Sequence, residues 1–417
     1  MNVLSPFDQA GIRHYALVTL AYWGFTITDG ALRMLVLLYF HTLGYSPLEV
    51  AMLFLFYEIF GIATNLLGGW MGSRTGVKLT LYGGIALQIL ALLLLTPVNG
   101  SWAIALAVPY VMVAQAISGI AKDLTKLSAK SAIRLVIPKE AQSALFKWVA
   151  ILTGSKNALK GVGFFLGSLL LSTVGYVNAL LLMAASLVLV LLSSRWLPAS
   201  MGKLKTQVKF SQLFSKSPEI NLLSAARFFL FGGRDVWFVV GLPVFLYSGL
   251  NWSFEQVGGF LAIWVIGYGL VQSLAPMLLR RFGAGRSPQA STIRFWTGLL
   301  IAVPAAIALA LQMGRPAGQT IVGGLMVFGI VFAFNSAVHS YLVLAYTEDD
   351  QVALNVGFYY MANAGGRLAG TLLSGLMFQL YGLVGCLWVS ALFVLLAELV
   401  TLRLPNPQSA AVADGAN

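Results

Sequence analysis

Along the 417-residue chain, apolar runs of about 20 residues or more alternate with short polar or Pro/Gly breaks from one end to the other. A run of that length is what a helix needs to cross the hydrocarbon core of a bilayer. Twelve spans are predicted. The first six run from Tyr15 to His41, Ser46 to Trp70, Leu79 to Val98, Trp102 to Ala121, Ala144 to Ser172 and Gly175 to Arg195. The second six run from Ile220 to Gly249, Ser253 to Leu279, Ala290 to Gln312, Gly318 to Tyr346, Val352 to Tyr381 and Leu383 to Leu402. The expected division is a six-helix bundle over 1–196, a linker over 197–219, a second bundle over 220–404 and a tail over 405–417. The linker carries Lys203, Lys205, Lys209 and Lys216 and has no apolar run. The expectation is an all-α membrane protein with no room for a soluble domain.

Composition agrees with the pattern. With 59% hydrophobic and 10% charged residues, the chain has too little polar surface to coat a soluble globule of its size. The opening MNVLSPFDQAGIRH lacks the apolar core and small-residue cleavage site of a removable signal, so the first span itself is expected to target the membrane. A net charge of +12 in a soluble chain would suggest nucleic acid, but here its placement argues for topology. Arg74, Lys78, Lys126, Lys130, Arg134, Lys139, the linker lysines, Arg280, Arg281 and Arg286 fall in the loops on one side, and only Arg315 falls on the other. By the positive-inside rule both termini are cytoplasmic, in a bacterial inner membrane. A single cysteine, Cys386, precludes an internal disulfide; three scattered histidines with no Cys or carboxylate cluster give no expectation of a metal site or cofactor.

A shift of about 207 residues brings the two halves into register at several separate places. Arg74 meets Arg281 and Gly76 meets Gly283; Leu43, Ser46 and Val50 meet Leu250, Ser253 and Val257. Deep in spans five and eleven, Asn157 and Lys160 align within one residue with Asn363 and Arg367. Two parallel six-helix halves joined by a cytoplasmic linker resemble the plan of the major facilitator transporters. The segment GWMGSRTGVK, from Gly69 to Lys78, also resembles that superfamily's signature loop, with Ser73 standing where an acid is usual. The resemblance implies a gating loop at Gly69, Arg74 and Gly76, repeated at Arg281 and Gly283, with its charge relay lacking the acid. It further implies a substrate site at mid-membrane and rocker-switch alternating access. The glycines Gly161, Gly163, Gly167, Gly365, Gly366 and Gly370 suit either close helix packing or gating.

Ionisable side chains within spans cost several kcal/mol unless paired or hydrated, so each is a functional candidate. The deepest are Asp29 and Arg33, Glu58, Lys156 and Lys160, Arg227, Arg234 and Asp235, and Arg367. Bases outnumber acids, and a surplus of buried cations calls for a ligand that is itself an anion. Arg33, Lys156, Lys160, Arg227, Arg234 and Arg367 are therefore the expected substrate-binding bases, with Asn157, Tyr359 and Asn363 to orient ligand oxygens. Asp29 with Arg33, and Arg234 with Asp235, can alternatively satisfy protein charges. Lys160 and Arg367, related by the repeat, are expected to have no acid nearby and so to contact the ligand. Asp29, Glu58 and Asp235 are proton-coupling candidates. Lys122, Lys126, Lys130 and Arg134, spaced by four, form a stripe that is either a funnel for anions or a contact for acidic lipid headgroups.

At the level of wording, the chain resembles the ArsJ-type organoarsenical efflux permeases. The segments that carry the resemblance are TDGALRMLVLLYFHTLGYSP from Thr28, SGIAKDLTKLSAKSAIRL from Ser118, LFKWVAILTGSKNALKGVGFFLG from Leu145 and LSAARFFLFGGRDVWFVVGLPVFL from Leu223. It implies export of 1-arseno-3-phosphoglycerate and a metabolic link to a glyceraldehyde-3-phosphate dehydrogenase that makes it. Another organic-anion or organophosphate transporter, including a phosphate exchanger, would need the same basic cavity. A membrane-embedded enzyme or sensor is disfavoured by the lack of a nucleophile constellation and of a soluble domain.

Overall fold

A computed structural model describes residues 9–75, 77–136, 142–193, 217–282, 288–347 and 352–405. The expected linker as far as Lys216 and the expected tail beyond Pro405 lie outside these residues, as do the acidic residues Glu348, Asp349 and Asp350 between spans ten and eleven. Among the described residues the regular structure is helical throughout: α1 (Gln9–Thr42), α2 (Pro47–Leu53), α3 (Leu55–Thr75), α4 (Val77–Leu95), α5 (Ile104–Val136), α6 (Gln142–Ser193), α7 (Pro218–Phe238), α8 (Gly241–Val244), α9 (Phe254–Phe282), α10 (Ala290–Gln312), α11 (Ala317–Ala345) and α12 (Val352–Thr401). A π turn, Phe245–Gly249, follows α8.

Nine described stretches are long and apolar enough to cross a membrane. Two of them, Ser155–Ser193 and Asn355–Thr401, have 39 and 47 residues, about twice the length one crossing needs. Each carries a non-helical glycine, Gly175 (φ 78°, ψ 175°) in α6 and Gly382 (φ 64°, ψ −163°) in α12, at the junction of two expected spans. That region of backbone space is open to glycine and almost nothing else. The two glycines stand one repeat apart, as do Gly44 (φ 88°) and Asn251 (φ 55°). Four of the five described positive-φ residues thus form two repeat pairs. The duplication is written in backbone conformation as well as in residue identity.

The helices sort into two compact units. Unit 1 is Met1–Tyr39, Ala63–Phe210 and Phe254–Val265; unit 2 is Phe40–Ile62, Ser211–Ser253 and Ile266–Asn417.

Unit 1 is built on small-residue contacts. A Cβ on Gly30 of α1 would lie 2.7 Å from the Lys160 carbonyl oxygen and 3.2 Å from the Gly163 Cα, and Gly167 abuts Ala31. The absent side chains let α1 and α6 approach backbone to backbone. Gly84 of α4 meets Thr125 and Ala121 of α5 in the same way, and these helices share the hydrogen bonds Thr80–Ser128 (2.6 Å) and Ser118–Gln88 (2.7 Å).

Unit 2 repeats the device. Gly366 of α12 packs against the Phe228 backbone of α7, and a Cβ on Gly370 would lie 2.7 Å from the Gly232 carbonyl oxygen. The turn between α7 and α8 frees the amides of Val240 and Gly241, and both donate to Ser374 Oγ of α12 (3.1 and 3.0 Å). A buried amide left unbonded costs about as much as a lost hydrogen bond, so Ser374 stabilises the break. An apolar core of Ile220, Leu223, Ile293, Val338, Leu342 and Tyr359 joins α7, α10, α11 and α12. Of the glycine runs singled out in the sequence, Gly163, Gly167, Gly366 and Gly370 serve close packing.

Candidate functional site

Helix α7 positions two buried basic groups in unit 2. Arg227 and Asp235 are eight residues apart, about 12 Å along the helix axis.

The first group is a network of charges. Arg367 of α12 donates from Nη2 to Glu58 Oε1 of α3 (2.6 Å) and from Nε to Asp235 Oδ2 of α7 (3.3 Å). Arg234 donates from Nε to the other oxygen of Asp235 (2.7 Å). Glu58 and Asp235 are each 1% exposed. These two guanidinium groups and two carboxylates balance in charge. The expectation that Arg367 has no acid nearby is therefore corrected. Its partners come from helices far away in sequence, 309 and 132 residues distant.

The second group has a different balance. Arg227 is 4% exposed, and its Nη1 donates to the hydroxyl of Ser336 on α11 (3.1 Å). Its guanidinium carbon lies 3.9 Å from the centroid of the Phe231 ring and 5.1 Å from that of Tyr359. No described ion pair includes Arg227. Two further donors, Gln272 Nε2 (3.2 Å) and Tyr268 OH (3.4 Å), both from α9, reach the same Ser336 oxygen. One turn on along α11, His339 is fully buried and neither ring nitrogen has a hydrogen-bond partner among the described residues. Phe231 lies between the two groups, with Arg234 on it as well, at 4.7 Å.

In unit 1, Asp29 and Arg33 lie one turn apart on α1, 7% and 8% exposed. Lys156 and Lys160 lie one turn apart on α6, and the Gly30–Lys160 contact brings the two charged stretches to one level. Lys160 Nζ stands 5.7 Å from the Phe164 ring. A second buried acid of unit 1, Asp123 of α5, accepts from Thr64 (2.7 Å), Asn65 and Lys126, and Lys126 donates to Asn65 Oδ1 (2.6 Å). Lys126 of the basic stripe is thereby tied to α3.

Residues 17–313, more than half of the chain, match the model of the Major Facilitator Superfamily. The chain belongs to that superfamily. Similar solved structures include a bacterial homologue of the iron transporter ferroportin in its inward-facing state, 16% identical with a TM-score of 0.70 over 94% of this chain and 98% of that one. Another is a mutant of the nucleoside transporter NupG, 17% identical with a TM-score of 0.69 over 93% and 98%. At these identities the likeness establishes the major facilitator fold alone. A search of curated proteins found no match.

Within this major facilitator fold, three of the proposed bases, Arg227, Arg234 and Arg367, gather in unit 2 with Tyr359, Asp235 and Glu58. Asn363 is buried on α12, while Asn157 of α6 is half-buried. Arg33, Lys156, Lys160 and Asp29 belong to unit 1. The side chains of Lys130, Arg134, Gly69 and Arg74, and all of Gly76 and Gly283, lie outside what the structure describes; Arg281 is exposed at the end of α9. Sequence reasoning missed Asp123, Tyr268, Gln272, Ser336 and His339. Asp123 stands as the acid within the basic stripe, and the run NSAVHS, 335–340, is the polar island of an otherwise apolar helix. Gln272 is one amide in an apolar run, a fainter signal.

Proposed function

We propose that this chain is a secondary transporter that exports a small organic oxyanion, 1-arseno-3-phosphoglycerate, by alternating access, and so confers arsenate resistance. The observation that carries the reading is Arg227, a buried guanidinium whose described partners are all neutral. Removing an arginine from water without a counter-charge is strongly unfavourable, and an anionic ligand supplies that charge when it binds. Arg33, Lys156 and Lys160 of unit 1 are further bases suited to an oxyanion, whereas Arg234 and Arg367 are already engaged by Asp235 and Glu58. The carboxylates Asp29, Glu58 and Asp235 are the groups through which a proton gradient would act. The wording shared with organoarsenical permeases narrows the anion to the arsenoester, which decomposes to arsenate once outside. Its source would be a glyceraldehyde-3-phosphate dehydrogenase using arsenate in place of phosphate. The setting is the bacterial inner membrane, with both termini cytoplasmic.

The solved neighbours include a homologue of an iron transporter and a nucleoside transporter. A metal cation finds less support here, because among the described residues no group of three or more His, Cys, Asp or Glu is placed to hold one. The test is arsenate resistance and arsenic retention in a sensitive bacterium expressing this chain with and without the dehydrogenase. Resistance and lowered retention that require both proteins are expected. No effect, with the protein present in the membrane, would discard the arsenoester in favour of another organic anion.

A further inference from the structure

The Ser336 hydroxyl receives more donors than it can satisfy. A serine oxygen has two lone pairs, yet Arg227, Gln272 and Tyr268 all aim N–H or O–H groups at it, from 3.1, 3.2 and 3.4 Å. Three donors from two helices, one of them charged, converging on a single neutral oxygen form the arrangement that stabilises an oxyanion. Arg227 Nε and both nitrogens of His339 are buried with no hydrogen-bond partner among the described residues. Buried donors left unsatisfied are unfavourable, and a ligand bearing several oxygens removes that cost.

We infer that Arg227, Tyr268, Gln272, Ser336 and His339 form a subsite for a tetrahedral oxyanion, the phosphate or arsenate group of a soluble substrate. The inference rests on the anion-transport reading for its physiological meaning and assigns one end of the ligand to unit 2. In the unliganded protein the Ser336 hydroxyl occupies the donors' focus. A bound oxyanion replaces it there with a charged acceptor. Arginine offers two edges to separate oxygens, Gln272 and Tyr268 serve a second direction, and His339, one turn from Ser336 on α11, serves a third. Neutral imidazole has one donor and one acceptor nitrogen on opposite edges of the ring, so whichever edge meets the ligand either donates its N–H to an ionised oxygen or accepts from a protonated one. A planar carboxylate has only two oxygens and leaves one direction unused. The subsite therefore selects phosphate or arsenate over a carboxylate.

The test uses the purified full chain in phosphatidylcholine nanodiscs, titrated with inorganic phosphate and, separately, with acetate, with heat of binding and thermal midpoint as readouts. Saturable phosphate binding that raises the midpoint is expected, with acetate at least about tenfold weaker, equivalent to 1.4 kcal/mol. Arg227→Gln should abolish the response. Gln272→Leu, a change of similar shape at a half-buried position, should weaken it about tenfold with the unliganded midpoint preserved. Phosphate binding that both variants retain, no saturable binding to the wild type, or equal binding of acetate would each overturn the subsite. Suppression of the phosphate response by phosphatidate in the nanodisc would also overturn it, by assigning the same chemistry to a lipid headgroup. Arsenate resistance measured in parallel separates the two readings. Resistance with phosphate binding insensitive to Gln272→Leu removes the subsite and leaves export standing. Sensitive phosphate binding without resistance removes the arsenoester and leaves the subsite.

Discussion

Arg367 and Arg227 belong to the same unit, and both contact α7, but they are kept from water in opposite ways. Arg367 is held by two carboxylates, Glu58 and Asp235, within a network that includes Arg234 and has no net charge. Arg227, eight residues before Asp235 on α7, is held by a serine hydroxyl and two aromatic rings. A buried cation with its acids in place is part of the fold, and removing it strands those acids. A buried cation among neutral groups carries an unspent positive charge, which an arriving anion can use. Both are arginines within spans, and on that criterion alone they rank equally as ligand contacts. Their partners set them apart.

The comparison predicts opposite outcomes for the two arginines. The largest effect on stability is expected from Arg367→Ala, which leaves Glu58 buried without its base and Asp235 with Arg234 alone, and should cost about 3–5 kcal/mol. Thermal unfolding in detergent measures it, and a Glu58→Gln, Arg367→Gln double variant, which leaves the Arg234–Asp235 pair in place, should recover much of the loss. An unchanged midpoint in Arg367→Ala would mean that the network does not hold α3, α7 and α12 together. A smaller loss, about 1–3 kcal/mol, is expected from Gly366→Ala, because the new Cβ would lie 2.8 Å from the Phe228 carbonyl carbon and force α7 and α12 apart. The same unfolding assay checks it, and a tolerated alanine there would show that this helix contact gives easily. The smallest effect on stability belongs to Arg227→Met, within about 1 kcal/mol of the wild type, since a buried charge with no acid partner can be replaced by an apolar chain of similar length at little cost. Transport should nevertheless be lost. A midpoint that falls as far as in Arg367→Ala would place Arg227 among the structural charges and end the comparison.

Much of the fold was legible along the chain. Apolar runs longer than a soluble helix needs, separated by polar breaks, specify membrane helices by themselves, because hydrocarbon leaves few alternatives to a fully hydrogen-bonded helix. The shift that aligns Lys160 with Arg367 also relates Gly175 to Gly382 and Gly44 to Asn251, whose backbone conformations mark the ends of spans. Less of the site was legible. Its bases stood out because charge is rare within spans, whereas Gln272 and Ser336 are ordinary residues whose importance comes from a shared focus. The acids of Arg367 were visible in the sequence, but their partnership with it was not, since the contacts connect positions 309 and 132 residues apart.

The sequence by itself determined the solvent this protein folds in, the duplication of its halves and the inventory of buried charge, since each follows from composition and spacing along one dimension. Only the tertiary structure decided which charges cancel and which remain. Pairing depends on separations of a few ångströms between helices distant in the chain, and in a medium of low dielectric those separations determine whether an arginine is a strut or a binding site.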